Sequence, residues 1–243
     1  MTAASLAAAR SSEIKPFPVD PDVLGRIRPM QYRDAERVAE LHHAAMGNSL
    51  WARLGEPFLA SLYRALIDSP LFFGFVYCEP GPSGGSAAGP EVKGFIAGST
   101  DTATMYRWVL RRRGMFVAPA ALRGVLGHPT AAVKLLQTAR YFGVSGAADV
   151  PAESLFCSFV PDLRGKRVSG HINKVLFDEL YARGRSHVKI TTEVDNEGAN
   201  RQLQSWGFAQ RGTFRFYGKD MVTYVLDLAA SPRVDPVSRH PTV

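Results

Sequence analysis

Three cations and two glycines crowd the run Arg164, Gly165, Lys166, Arg167, Val168, Ser169, Gly170, between an apolar strand pattern and a helical one. A strand that passes through a glycine-bearing turn into a helix aims several peptide N–H groups and the positive end of the helix dipole at one point, which suits a pyrophosphate. The same residues are also consistent with a solvated basic loop in which Ser169 caps the helix. Two familiar phosphate signatures are absent, G-x-x-x-x-G-K-[ST] and G-x-G-x-x-G. Cys157, with no histidine and acid arranged beside it in sequence, reads as a small buried apolar residue and not as a nucleophile. The histidines at 42, 43, 128, 171 and 187 have no metal-ligand spacing such as H-E-x-x-H, so no metal is expected and each reads as satisfied or exposed. His171 stands apart because it lies in the first turn of the helix that follows the basic run.

The elements around that run set its position. Residues 154–159 (SLFCSF) read as a buried strand, and Val168, Ile172, Val175, Leu176 and Leu180 form a helical apolar stripe that Gly184 stops. A strand over 188–194 follows, then a short helix over 196–206 with Ala199, Leu203 and Trp206 on one side and Gly207 at its end, then strands over 213–217 and 221–228. Upstream, residues 27–30 are extended around Pro29, and Ala35, Val38, His42 and Met46 share one helical face. A second helix covers 57–67, and strands over 71–78 and 92–98 flank the low-complexity loop EPGPSGGSAAGP. Residues 102–142 carry helical spacings without a repeat. The order is mixed α/β, with strand, helix and strand repeated around one central sheet of about six or seven strands.

Composition narrows the class. The chain has 243 residues, 46% hydrophobic and 21% charged, which suits one embellished globular domain and excludes a mostly disordered protein. No apolar run is long enough to span a bilayer and the mean hydropathy is −0.07, so no transmembrane segment is expected. Two cysteines give no disulfide framework, and the opening MTAASLAAARSS lacks a basic start and an uninterrupted apolar core, so the expected location is the cytoplasm. A net charge of +7 favours anionic ligands: nucleic acid, acidic lipid or a phosphorylated cofactor. The proline-bearing ends, residues 1–25 and 229–243, read as disordered tails around a domain over 26–228.

The segment FVPDLRGKRVSGHINKVLFDEL resembles the pyrophosphate-binding stretch of the GNAT superfamily of acyl-CoA-dependent N-acetyltransferases, whose pattern is [QR]-x-x-G-x-[GA]. Arg164 matches its first position and Val168 the variable one; Phe159, Val160 and Pro161 form the hydrophobic-x-Pro that ends the strand before it. Asn196, Ala199, Gly207 and Phe208 are similar to a second family block, and IRPMQYRDAERVAELHHAAM to the family's first strand and helix. The resemblance spans residues 26–228, with two departures. Arg167 stands where the pattern has glycine and Ser169 where it has glycine or alanine, while Leu203 occupies the place of a tyrosine that protonates the leaving thiolate.

The resemblance implies a single GNAT-type domain that moves an acetyl group from acetyl-CoA, the acyl donor, to a primary amine of a small molecule or amino sugar by direct attack. It assigns cofactor contacts to the main chain of Ser158, Phe159 and Val160, to the turn Arg164, Gly165, Lys166, Arg167, Val168, Ser169 and Gly170, and to Asn196 and Asn200. It makes Glu153 the general base, against a reading as a surface glutamate at a strand end, and leaves Tyr217 as the substitute acid, against cross-strand packing. About 50 residues, 102–150, are inserted before the cofactor strand. Tyr106, Trp108, Tyr141 and the arginines at 107, 111, 112 and 113 then either line an acceptor pocket or belong to an amphipathic helical pair with a solvated basic face. The alternative is a catalytically impaired GNAT-fold protein that binds an anionic partner, nucleic acid or an acidic membrane surface. Nucleic acid is disfavoured because aromatic residues are not interleaved with the arginines, and a homodimer is compatible with the fold.

Overall fold

A computed structural model describes residues 14–47, 49–81, 89–127, 147–216 and 218–235. Its secondary structure runs α1 (Pro21–Leu24), β1 (Ile27–Pro29), α2 (Ala35–Met46), α3 (Leu50–Arg53), α4 (Glu56–Ile67), β2 (Phe72–Glu79), β3 (Glu91–Ser99) and α5 (Thr102–Gly127). It continues with β4 (Glu153–Phe159), α6 (Val168–Ala182), β5 (His187–Glu193), α7 (Glu197–Trp206), β6 (Ala209–Phe216) and β7 (Lys219–Asp227). The seven strands make one mixed sheet in the order β1-β2-β3-β4-β5-β7-β6, antiparallel throughout except for the parallel pair β4 and β5.

Side-chain alternation divides the core between the two faces of this sheet. Phe72, Val76, Phe95 and Ala97 point toward Val38, Leu59, Leu62 and Leu66 of α2 and α4, together with Met105 and Val109 of α5. Phe73, Phe75, Tyr77 and Ile96 point the other way, into Ile172, Val175, Leu176 and Leu180 of α6 and Leu203 and Trp206 of α7. Because helices cover both faces, β2 is a near-continuous apolar run instead of an alternating one. Each such side chain taken from water contributes about 1.5–3 kcal/mol, which is why the α6 stripe holds that helix flat against the strands.

One irregularity matters for the site. Ala97 of β3 lies opposite Phe156, but the next residue, Gly98, lies opposite Ser154, so Leu155 is an extra residue on β4. A bulge of this kind bends its strand and increases local twist. β4 pairs with β5 at one position, Glu153 with Lys189, supported by the Lys189 N–H donating to the Ala152 carbonyl at 3.0 Å. Immediately past the bulge the two parallel strands are no longer paired.

The described parts of both expected tails are packed. Phe17 stacks on Trp206 with ring centroids 5.4 Å apart, and the Arg233 guanidinium lies over the same indole, also at 5.4 Å. Arg233 Nε donates to the Lys15 carbonyl, which joins the two ends, while the Asp235 N–H donates to Asp178 on α6. Prolines had suggested disorder here; the long-range contacts of one aromatic and one cation order residues 14–25 and 229–235.

Candidate functional site

The parting of β4 from β5 exposes a strand edge. In an antiparallel ladder, successive residues turn their peptide groups to opposite sides. The Val160 N–H donates to Lys93 of β3 at 2.9 Å, so Val160, Ser158 and Phe156 are the residues bonded to β3. Phe159 and Cys157 therefore carry their peptide groups on the edge facing β5. This corrects the sequence-based expectation: of Ser158, Phe159 and Val160, only Phe159 offers main-chain groups to the gap, and Cys157 joins it. Ser158 is further committed by its hydroxyl, which donates to the Leu41 carbonyl at 3.0 Å. The Phe159 ring lies against Gly94, where a Cβ would sit 2.1 Å from the ring, so this packing requires glycine.

At the end of β4 the chain makes a 3-10 turn, Pro161–Leu163, and enters α6 through the basic run. Arg164, Gly165, Lys166 and Arg167 are exposed, Val168 is buried, and Ser169 and Gly170 are half-buried. Arg167 adopts φ 57 and ψ 9, the left-handed region, and is the non-glycine residue with positive φ among the described residues. Such a conformation costs an L-residue about 1–2 kcal/mol. Here the sequence departs from the glycine of the pattern it resembles, while the backbone takes a conformation that favours glycine. The N–H groups of Gly165, Arg167, Val168 and Ser169 find no acceptor among the described residues, and Arg164, Lys166 and Arg167 find no ion-pair partner there. Ser169 does not cap the helix; the N-cap position belongs to Arg167 and makes no side-chain cap bond.

Across the gap, Asn196 caps α7 by accepting from the Ala199 N–H at 3.2 Å. Asn200 donates its amide nitrogen to the carbonyls of Glu193 and Val194 at 3.2 and 3.0 Å, which leaves its buried Oδ1 without a partner among the described residues. A buried acceptor left open costs free energy unless a ligand or water completes it. Leu203 is buried beside Trp206 in the core.

Glu153 sits where the two strands still touch. It is 8% exposed, and burial pushes its carboxyl above the usual carboxylate range, with the Lys189 charge and the nearby Thr102 hydroxyl acting in the opposite sense. Thr102 Oγ1 is close without hydrogen-bond geometry to any described group. Glu153 is thus not a surface residue at a strand end. Tyr217 lies outside the described residues. Burial pushes the Cys157 thiol up to about 12, far from a thiolate at neutral pH.

His42, expected to be satisfied or exposed, is buried and only half satisfied. It is fully buried among Tyr63, Phe95 and Phe156, with Nδ1 2.8 Å from the Tyr63 hydroxyl and Nε2 unpartnered among the described residues. Burial, with a smaller effect of His43, lowers its pKa to about 4, so it is neutral. The described part of the insertion is one helix, α5, and residues 147–150. Tyr106 stacks on Trp51 and, with Trp108, packs half-buried against the α2–α4 core. Arg113 pairs with Asp68, Arg107 bonds within its own helix, and Arg111 and Arg112 are exposed. Tyr141 lies outside the described residues. The bulge at Leu155 and the edge role of Cys157 carry no sequence signal, since neither residue type marks a bulge.

No family model matches the chain. A curated mycothiol acetyltransferase from Brachybacterium faecium is 34% identical over 67 residues, 28% of this chain, and the match spans a fifth of that relative's length. Among solved structures, an N-acetyltransferase from Staphylococcus aureus Mu50 superposes with a TM-score of 0.52 at 16% identity, covering 83% of this chain and 97% of the other. The Salmonella typhimurium protein yncA, solved with its cofactor acetyl-CoA, gives 0.50 at 17% identity over 83% and 92%. A variant of spermidine N-acetyltransferase from Vibrio cholerae gives 0.51 at 12% identity over 84% and 95%. The chain has the fold of the GNAT N-acetyltransferases. Among the described residues no helix is long and apolar enough to cross a membrane, and no cluster of side chains could hold a metal ion.

Proposed function

We propose that this GNAT-fold chain is an acyl-CoA-dependent N-acetyltransferase that moves an acetyl group from acetyl-CoA to a primary amine of a small molecule or amino sugar. The carrying observation is that β4 and β5 pair at Glu153 and Lys189 and then part, leaving an open strand edge that leads to a turn rich in free N–H groups and cations. An extended pantetheine arm can add to such an edge through amide hydrogen bonds, as a strand would. Its pyrophosphate would meet the N–H groups of Gly165, Arg167, Val168 and Ser169 and the side chains of Arg164, Lys166 and Arg167. The open Oδ1 of Asn200 supplies an acceptor for an amide of the arm, with Asn196 beside it.

The amine nitrogen attacks the thioester carbonyl, and a peptide N–H of the β4 edge stabilises the oxyanion that forms. The C–N bond forms, the C–S bond breaks, and CoA leaves as thiolate. The proton lost by the amine goes to Glu153, whose raised pKa suits a base working near neutral pH. Leu203 cannot protonate the thiolate, and a thiol pKa near 8.5 makes the thiolate a tolerable leaving group that water can protonate. The names of the similar proteins, one for mycothiol and one for spermidine, support a small-molecule acceptor.

Calorimetric titration with acetyl-CoA and with CoA tests the reading. Saturable binding with Kd of about 1 μM, near −8 kcal/mol, is expected, followed by acetyl transfer to members of a panel of polyamines and amino sugars. No binding at millimolar cofactor would overturn it.

A further inference from the structure

His171 is 1% exposed and lies on the first turn of α6. Its Nε2 is 2.8 Å from the Asp20 N–H, a group that can only donate, so Nε2 is the bare acceptor and the proton resides on Nδ1. Nδ1–H then donates to the Arg167 carbonyl at 2.9 Å. The same carbonyl also receives the N–H groups of Gly170 and His171 at 3.1 and 3.3 Å. Three donors therefore hold the carbonyl of Arg167, the non-glycine residue in the left-handed conformation among the described residues, and strain of that kind persists only where its surroundings over-determine it. Drawing the Arg167 carbonyl into the helix leaves the N–H groups of the turn directed outward.

The residues ahead of the domain hold His171 in turn. Phe17 meets its ring edge-on at 4.9 Å, and the Phe17 ring lies where a Cβ on Gly170 would come within 2.7 Å. Trp206 and the Lys15 bond of Arg233 keep this strap in place.

We infer that His171, braced by the strap of residues 14–25, is a positioning residue that keeps the phosphate-binding turn in its ligand-ready shape. The inference rests on the reading of that turn as the pyrophosphate site. Asn173, two residues further along the same helix, donates its side-chain amide to the Ser169 carbonyl at 2.7 Å, the same i to i−4 relationship that His171 has with Arg167. An asparagine at 171 can therefore restore the bond that a phenylalanine cannot make.

The test is CoA binding by calorimetry to His171→Phe, His171→Asn and Phe17→Ala in the full chain, with Lys166→Glu alongside. His171→Phe should weaken binding about tenfold or more, as misplacement of a preorganised site does, His171→Asn should recover most of that loss, and Phe17→Ala should weaken binding several-fold. Equal affinity of His171→Phe and wild type, or equal loss in the phenylalanine and asparagine variants, would overturn the inference. If His171→Phe does not fold, Phe17→Ala decides it: wild-type affinity in that variant overturns the brace. Weakening by Lys166→Glu without weakening by the other variants sinks this inference alone, whereas no effect of Lys166→Glu sinks the reading of the turn.

Discussion

Glu153 and Lys189 face each other at the one position where β4 and β5 pair, each 8% exposed, and one residue past Ser154 the bulge at Leu155 turns β4 away. The candidate base is therefore held at the apex of the cleft that the cofactor would enter, and the arrangement predicts behaviour at both ends of the cleft.

At the apex, burial raises the Glu153 pKa, so the carboxylate is lost as pH falls through a value above the usual range. The wild-type rate should fall on the acid side there, and Glu153→Gln should remove that limb while lowering kcat about 100-fold or more. Stability has the opposite sign. A raised carboxyl pKa contributes stability that is present below the ordinary pKa and lost as pH rises through the raised one. Glu153→Gln should thus melt higher than wild type at about pH 8 and gain less at about pH 4. Rate profiles and thermal melts check both; an unchanged profile would remove Glu153 from the mechanism.

At the mouth, Lys166 is exposed and has no ion-pair partner among the described residues. Lys166→Glu should weaken CoA binding by about tenfold, the scale of one lost charge-assisted bond and one repulsion, and leave the melting temperature nearly unchanged. Titration calorimetry and a melt of the same sample measure both.

Arg167 separates backbone from side chain. Its φ of 57 costs about 1–2 kcal/mol that glycine does not pay. Arg167→Gly should be as stable as wild type or slightly more so, while Arg167→Val should lose about 1–2 kcal/mol because branching at Cβ suits the left-handed region poorly. Urea unfolding of the three proteins distinguishes them, and equal stabilities would show the turn relaxes freely.

Gly94 is required by Phe159. A Cβ there would lie 2.1 Å from the ring, so Gly94→Ala should cost about 1–3 kcal/mol through overpacking. It should also disturb the edge that offers the Phe159 peptide group to the gap. Phe159→Leu in the same chain should recover part of the stability, and denaturant unfolding reads the pair; strictly additive losses would show that the two residues do not press on each other.

Local pattern was enough for much of the fold. The 3.6-residue stripe from Val168 to Leu180, the apolar run ending at Phe159 and the stops at Gly184 and Gly207 lie in the structure where their spacing implies, since periodicity and helix stops are properties of neighbouring residues. The strand-turn-helix with its three cations was legible for the same reason. Pairing and packing decided the rest. The bulge at Leu155 depends on what lies opposite it on β3, and that register turns the peptide groups of Ser158 and Val160 away from the cleft. The bond from Asp20 to His171 spans 151 positions, and the stack of Phe17 and Arg233 on Trp206 draws in both ends of the described chain. A proline-rich composition measures how weakly a segment orders itself. It contains nothing about the surface, built from residues far from it in the chain, on which that segment comes to rest.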